Sequence, residues 1–329
     1  MKHRVLITNA VPDDILKPLC GLAEVVQGPS GGDLMSREAV LRLAPSLDAI
    51  INQAELRVDE ELLNAAPRLR IVANVAIGTD NLEKDLMAAH GVWATNTPGV
   101  FDAAAADATL GLILCAARRL CEADRYVRSN QWRGFQPGLW DGVLLEGKTL
   151  GIVGYGAIGK MVAIRARAFG MRVIYTRRTR VDDAAYRPME TLLAESDFVS
   201  LHTPLNSDSH HLIDAAALQR MKRGAYLINM ARGKVVDEVA LVEALQSGHL
   251  AGAALDVFEN EPQVHPALRE MPHVALSPHL GGGTHQSRHA SRLLCAKNVA
   301  RVLQGEAPLT PVNQPTNAQL LLNDAAASC

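Results

Sequence analysis

The chain has 329 residues, a net charge of −2, 48% hydrophobic residues and 21% charged residues. Such a length suits about two domains at the ~150-residue scale, and the composition is that of an ordinary globular protein. The near-zero charge excludes a bulk field that would draw nucleic acid or an anionic membrane.

The N-terminal stretch MKHRVLITNA has no apolar run followed by a small-residue cleavage site, so no secretory signal is expected. Short β-branched runs then alternate with helix-like pieces. RVLIT, DAIIN, LRIVANV and VWATN read as strands, and DDILKPLC, REAVLRLA and VDEELLNAA as helices. This alternation predicts parallel strands joined by helical crossovers. TPGV at residues 97–100 breaks the pattern, and one long helix is expected from about Ala103 to Arg128. Its most apolar part, residues 103–117, falls short of the ~20 residues of a bilayer span and carries Asp107, so it reads as a buried helix. A second alternating series starts near Lys148 with TLGIVG, RVIYT, DFVSLH, AYLINM, AGAALDVF and HVALSP. After it, SRHASRLLCAKNVARVLQG is helical, with Leu293, Ala296, Val299, Ala300 and Leu303 on one face, and is expected to return to the first domain. The stretch from Gln314 to Cys329 carries no clear pattern and is expected to be mobile. The five cysteines, Cys20, Cys115, Cys121, Cys295 and Cys329, are scattered without a CxxC pair. Neither a disulfide framework nor a zinc site is indicated, which fits a reducing cytoplasm.

The first chemical motif is GYGAIG, residues 154–159, lying between a strand and a helix with Ile158, Val162, Ala166 and Phe169 at helical spacing. In that context Gly154 permits the tight turn, Gly156 lets backbone approach a pyrophosphate, and Gly159 lets helix and strand pack closely. The helix N-terminus adds free N–H groups and partial positive charge. The next strand usually ends in an acid that accepts from the ribose 2′-OH of NAD. Here it runs into TRRTR, with Arg177 18 residues after Gly159. Arg177 and Arg178, helped by Thr179 and Arg180, suit a 2′-phosphate, because guanidinium–phosphate pairing is strong and selective. NADP(H) is therefore expected in preference to NAD(H), with NADH use still open.

Ligands of open α/β sheets sit beyond the carboxyl ends of the strands. The second series places His202, Arg232, Asp256, Glu261 and His279 just after its strands. No metal-ligand spacing is present. Reducing a 2-keto acid needs a cation for the carboxylate and carbonyl, which Arg232 supplies. It also needs a proton donor at the carbonyl oxygen, which suits His279. Glu261 would orient that ring and favour its charged form. His249, His265 and His273 read as structural, and His210 and His211 as an exposed loop.

The motifs VAIGTDNLE, GYGAIG, LHTPLNSDSHHLI, INMARGKVVDEVALVEAL, AALDVFENEP, SPHLGGGT and NVARVLQG occur in that order over nearly the whole chain. In these the sequence resembles the D-isomer-specific 2-hydroxyacid dehydrogenases, and within them the glyoxylate/hydroxypyruvate and 2-ketogluconate reductase branch. The resemblance implies two Rossmann-like or flavodoxin-like, doubly wound parallel-sheet domains with a cleft between them. Residues 1–98 with 286–329 would form the substrate domain, and 99–285 the dinucleotide domain. It implies catalytic roles for Arg232, Glu261 and His279. Cofactor contacts are implied for Gly154, Tyr155, Gly156, Ala157, Ile158, Gly159, Thr176, Arg177, Arg178, Thr179, His202, Thr203, Pro204, Met230, Ala231, Arg232, Asp256, His279 and Gly281. The loop Val75-Ala76-Ile77-Gly78 would receive the substrate carboxylate, with Ala76 standing where the family usually has glycine. The resemblance also implies a cytoplasmic homodimer, in which Trp140 either reaches the neighbouring active site or packs in the dimer core. Two other readings stay open on the residues alone: a dinucleotide-sensing, corepressor-like binding protein, and a formate or phosphite dehydrogenase of the same fold.

Overall fold

The computed structural model describes residues 2–316. The unpatterned stretch from residue 317 onward, including Cys329, lies outside the described residues. The chain divides into two compact units, one running to Phe101 and resuming at Thr284, the other spanning Asp102–Gly283.

The first unit is a five-stranded parallel sheet in the order β2-β1-β3-β4-β5, with β1 His3–Ile7, β2 Ala23–Gln27, β3 Ala49–Asn52, β4 Ile71–Asn74 and β5 Trp93–Thr95. β3 and β4 are buried throughout, which is why they read as unbroken apolar runs and not as alternating patterns. β2 was not expected from the sequence. It is a half-exposed edge strand with Glu24 and Gln27 exposed, so its pattern is too polar to stand out. The helix His285–Leu303 packs across β3 and β4, burying Cys295, Ala296, Val299 and Leu303.

The second unit has six parallel strands in the order β11-β10-β9-β8-β6-β7. They are β6 Thr149–Val153, β7 Arg172–Thr176, β8 Phe198–Leu201, β9 Ala225–Asn229, β10 Leu250–Leu255 and β11 Val274–Leu276. Tyr186 adds an isolated bridge to Tyr175 outside β7. Alternate residues feed two apolar layers. Val199, Leu201, Leu227 and Leu255 enter one, and Leu150, Ile152, Phe198 and Ile228 the other. The register is what positions the site. Val153 pairs with Leu201, Leu201 with Asn229, and Asn229 with Leu255. The residues following each strand therefore emerge side by side along one edge.

The long helix expected over 103–128 is two helices, Asp102–Ala117 and Leu120–Arg128. Arg119 breaks it with a left-handed backbone, φ 54°, which costs an L-residue about 1–2 kcal/mol. The Arg119 guanidinium offsets this by donating to Glu122 at 2.8 and 2.9 Å and to the Leu139 carbonyl at 2.8 Å. No glycine or proline marks the break, so local sequence gives no sign of it.

Phe198 is fully buried and stacks on Tyr226 with ring centroids 4.9 Å apart. Replacing a buried aromatic of this kind by alanine leaves a cavity and costs about 3–5 kcal/mol. Phe198→Ala should lower the unfolding free energy of the second unit by that much, read from denaturant unfolding. An unfolding free energy within about 1 kcal/mol of the parent would show that the layer recloses freely around the lost ring.

Candidate active site

The glycine loop opens directly from β6. Gly154 has φ 96°, and a Cβ there would lie 2.6 Å from the His202 carbonyl carbon and oxygen. A Cβ on Gly159 would come within 2.4 Å of the Gly154 oxygen, so helix Ala157–Ala168 packs against the loop with no room for a side chain. Gly156 differs: nothing lies within 4 Å of a Cβ built there. It stands as N-cap with no side chain capping the first turn. Two glycines are thus required by the fold, whereas the third faces open space before a helix N-terminus. A bound dinucleotide phosphate needs that same open approach and those same donors.

The flanking residues fall around this loop. Gly154 N–H donates to the Thr176 carbonyl at 3.0 Å, tying the loop to the end of β7. The Tyr155 ring stacks on Tyr175 at 3.7 Å. Burial, with the bond to Asp183, pushes the Tyr175 hydroxyl up to about 12, so it stays a donor to that carboxylate. Arg177, Arg178, Thr179 and Arg180 are all exposed. Arg178 pairs with Asp208 at 3.0 Å across open solvent, whereas Arg177 makes no hydrogen bond or ion pair among the described residues. After β8, burial of the His202 ring pushes its pKa down to about 4, so the ring is neutral near pH 7. Its Nε2 lies 2.8 Å from Ser200 Oγ, and its buried Nδ1 has no partner. Thr203 and Pro204 follow, and the Pro204 carbonyl accepts from Ser209 Oγ at 2.7 Å.

β9 leads to the arginine. Asn229, its last residue, accepts from Ala231 N–H at 3.0 Å and donates to the Arg232 carbonyl at 3.0 Å. Arg232 also donates from Nη1 to the Ala231 carbonyl. Gly233 is obligatory, because a Cβ would overlap the Phe258 carbonyl. The backbone at Arg232 is thereby clamped between β9 and the segment after β10.

The histidine loop is held by Asp256, buried at the end of β10. Its Oδ1 accepts from Ser277 Oγ at 2.6 Å and Leu280 N–H at 2.8 Å, and its Oδ2 from Gly281 N–H at 2.8 Å. The His279 N–H donates to the Asp256 carbonyl at 2.8 Å. Expected as a cofactor contact, Asp256 has a carboxylate already occupied in fixing the loop. His279 is left-handed, φ 50°, and these four bonds hold it there. Gly281 leaves Met230 Cε 2.8 Å from its built Cβ, so Met230 lies against the same loop.

His279 Nδ1 meets Glu261 Oε2 at 2.9 Å, and Glu261 Oε1 accepts from Phe258 N–H at 3.0 Å. Burial by itself raises the Glu261 carboxyl. The His279 hydrogen bond and charge, the Phe258 N–H and the Arg232 charge outweigh it and hold the group below its usual value. Glu261 is therefore a carboxylate at neutral pH, set to accept from the His279 ring. The second unit thus brings together an arginine, a buttressed carboxylate and a histidine whose Nε2 side is left to the half-exposed face. Among the described residues no cluster suited to a metal ion exists.

In the first unit the expected carboxylate loop follows β4. Val75 N–H donates to the Asn52 carbonyl at 2.7 Å, Asn96 Nδ2 to the Ile77 carbonyl at 2.8 Å and Asn74 Nδ2 to the Gly78 carbonyl at 3.0 Å. The carbonyls are thus fixed, and the N–H groups of Ala76, Ile77 and Gly78 have no acceptor among the described residues. Trp140 packs on Tyr126 at 5.0 Å and under the Arg119 guanidinium at 5.1 Å, all within its own chain.

Two sequence readings need amendment. His211 is no bare loop residue: its Nε2 lies 2.6 Å from Glu259 Oε1, half-buried, at φ 49°. Asn229, Gly233 and Ser277, which brace the site, were not singled out. The polar ends of otherwise apolar strands, AYLIN and VALS, were the available signal.

Residues 110–281 match the family model described as D-isomer specific 2-hydroxyacid dehydrogenase, NAD binding domain. The chain is 43% identical to a glyoxylate reductase of Thermococcus onnurineus, over 95% of this chain and 97% of that one. It resembles a solved Thermus thermophilus structure with TM-score 0.89 and 39% identity, covering 94% and 99% of the two chains. It also resembles an NADPH-dependent glyoxylate/hydroxypyruvate reductase from Sinorhizobium meliloti, solved with NADP and malonate. There the TM-score is 0.81 at 33% identity, covering 95% and 97%.

The open space at Gly156 separates binding from folding. Gly156→Val should leave unfolding within about 1 kcal/mol of the parent, since exposed changes rarely cost more, yet weaken nicotinamide dinucleotide binding at least about tenfold. Gly159→Ala should lose stability outright. Calorimetry and dinucleotide titration check both, and unchanged dinucleotide affinity in Gly156→Val would remove this loop from the binding site.

Proposed function

The chain belongs to the D-isomer specific 2-hydroxyacid dehydrogenases, NAD(P)-dependent enzymes, and within that family we propose that it reduces a small 2-keto acid, glyoxylate or hydroxypyruvate, with NADPH. The observation that carries the reaction is the His279–Glu261 pair at 2.9 Å beside a clamped Arg232. The dinucleotide supplies the hydride. Arg232 holds and polarises the keto acid. His279 gives a proton to the carbonyl oxygen, and Glu261 keeps the ring oriented. A positioned acid of this kind contributes about 10²–10⁴ in rate. 2-Ketogluconate stays within this reading as a longer substrate of the same head group.

NADPH preference rests on the missing acid after β7 and on Arg177. Arg178 already has Asp208, in an exposed pair worth little, so Arg177 is the readier partner for a 2′-phosphate. The NADPH dependence of the Sinorhizobium relative supports the same reading. The corepressor-like and formate or phosphite readings have no observation in their favour beyond the shared fold.

A homodimer is supported by the segment 120–144, which leaves Leu120, Val127, Trp132, Phe135, Leu139 and Leu144 exposed, Phe135 at 91%. Apolar surface gathered in this way marks an association face. Phe135→Asp should shift the sedimenting species toward monomer, and an unshifted dimer would place the interface elsewhere.

The testing experiment follows absorbance of the reduced nicotinamide with glyoxylate and hydroxypyruvate, using NADPH and NADH in turn. The parent should favour NADPH, and Arg177→Gln should cut kcat/KM for NADPH about 10- to 100-fold while sparing NADH. Equal loss with both would sink the phosphate clamp and leave the reaction standing. Glu261→Gln should cut kcat for reduction about 10- to 100-fold with KM little changed, because the carboxylate that orients the His279 ring is gone. A kcat within about twofold of the parent would deny Glu261 that role.

A further inference from the structure

The segments that carry Arg232 and Glu261 are joined by an ionisable cluster that the reaction as described does not use. It consists of His211, Glu238 and Glu259, from three separate stretches of the second unit. His211 belongs to the loop after β8, Glu238 opens the helix Glu238–Gln246, and Glu259 lies beyond β10. The bonds between them are reciprocal. Glu238 Oε1 accepts from the Glu259 N–H at 2.7 Å, and Glu259 Oε2 accepts from the Glu238 N–H at 3.4 Å. Glu259 Oε1 meets His211 Nε2 at 2.6 Å. The His211 N–H donates to the Lys234 carbonyl at 2.8 Å and the Ile213 N–H to the Val235 carbonyl at 3.0 Å, which ties this loop to the stretch that follows Arg232. The Glu238 carboxylate also takes a backbone hydrogen bond from His265. Glu238 therefore holds the chain on both sides of Glu261.

Stability alone is a poor reason for such a cluster. Glu238 is buried. Burial raises its carboxyl, and the Glu259 charge adds to the rise, against the pull of the Glu259 N–H and of His265. His211 has a left-handed backbone, φ 49°, which disfavours a residue with a Cβ. Apolar side chains of similar volume often hold a fold as well as a buried ion pair does, or better. What charged groups add is a single register. Here the register belongs to the segment 258–261. Its Phe258 N–H donates to Glu261 Oε1 at 3.0 Å, and Glu261 Oε2 meets His279 Nδ1 at 2.9 Å. Glu259 lies between Phe258 and Glu261, with its N–H held by Glu238 and its carboxylate by His211 and the Glu238 N–H. Gly233, next to Arg232, has no room for a Cβ against the Phe258 carbonyl, so the same segment rests directly on the arginine's neighbour.

We propose that Glu259, held by His211 and Glu238, is a positioning residue for the reduction: it sets the segment 258–261 so that Glu261 meets the His279 ring, and it acts through Glu261. The inference rests on the 2-keto acid reduction proposed above and deepens it. With Glu259 released, the Phe258 N–H and the Glu261 backbone lose their fixed separation, and the carboxylate that orients the ring loses its place. A displacement of about 1 Å at a group that positions the chemistry is enough to cost about 100-fold in rate.

The test uses the full-length enzyme, steady-state reduction of glyoxylate and hydroxypyruvate, and titration with the reduced dinucleotide. Glu259→Leu should lower kcat about 10- to 100-fold while the dinucleotide Kd stays within about twofold of the parent. Glu259→Gln keeps an oxygen opposite His211 and should recover part of that loss. His211→Asn, a side chain that tolerates the left-handed backbone, should lower kcat about 3- to 10-fold, the worth of one hydrogen bond. The deciding comparison is made in a Glu261→Gln background. There Glu259→Leu should cost no more than about a further twofold, because residues that act as a unit are not additive. Losses that multiply in the double variant overturn the inference and leave the reaction standing. So does a kcat for Glu259→Leu within about twofold of the parent, or a loss of dinucleotide affinity as large as the loss of kcat. If Glu259→Leu does not fold, His211→Asn and Glu259→Gln enter the same cycle and decide it. No turnover of either keto acid by the parent overturns the reduction and this inference together.

Discussion

A parallel sheet delivers all its carboxyl ends to one edge, and the second unit is built around that constraint. Because Val153, Leu201, Asn229 and Leu255 lie in register, the residues after them have no choice of neighbourhood. The glycine loop, His202, Arg232 and Asp256 come from stretches up to a hundred residues apart, yet they emerge within a few strand spacings of ~4.8 Å. What remains for the sequence to settle is how each emerging loop is pinned. The pins are short polar side chains on the last strand residues or just beyond them: Asn229 for the arginine, and Asp256 with Ser277 for the histidine. Each satisfies backbone groups that a turning chain would otherwise leave without partners in a buried place.

Asp256 shows why the site can hold an unfavourable backbone. A left-handed histidine costs about 1–2 kcal/mol. A buried carboxylate accepting three hydrogen bonds and lying beside a fourth from the same segment more than offsets this, since charge-assisted bonds are the stronger kind. His279 thus has its backbone fixed by Asp256 and its ring by Glu261. For the proposed proton transfer, that removes rotational freedom at the donor before any substrate arrives, which is how oriented groups gain their advantage.

Much of this was legible in the residues. The glycine loop could be read because its spacing reports sterics directly: Gly154 and Gly159 have no room for a Cβ. Arg232 and His279 stood out as polar residues soon after apolar strands, and the structure sets Glu261 against the His279 ring at 2.9 Å. Less legible were features set by tertiary packing. The break at Arg119 depends on contacts to Glu122 and Leu139 that no local pattern encodes. β2 is an edge strand with one face wet, and its alternation is too weak to separate from a loop. The partnership of His211 with Glu259 joins residues 48 positions apart. Gln53 and Arg292 lie 239 apart, and their meeting exists only once the last helix lies across β3 and β4.

The two arginine groups differ in the cost of their charge. Arg177, Arg178 and Arg180 are exposed, so water stabilises them whether or not a phosphate is bound. A ligand there gains only the surplus of guanidinium pairing over hydration, so the proposed preference for NADPH rests on a modest difference. Arg292 is half-buried, beside a second arginine and an amide nitrogen without an acceptor. Its hydration is already partly lost, so the fold carries there a desolvation cost that the exposed arginines do not.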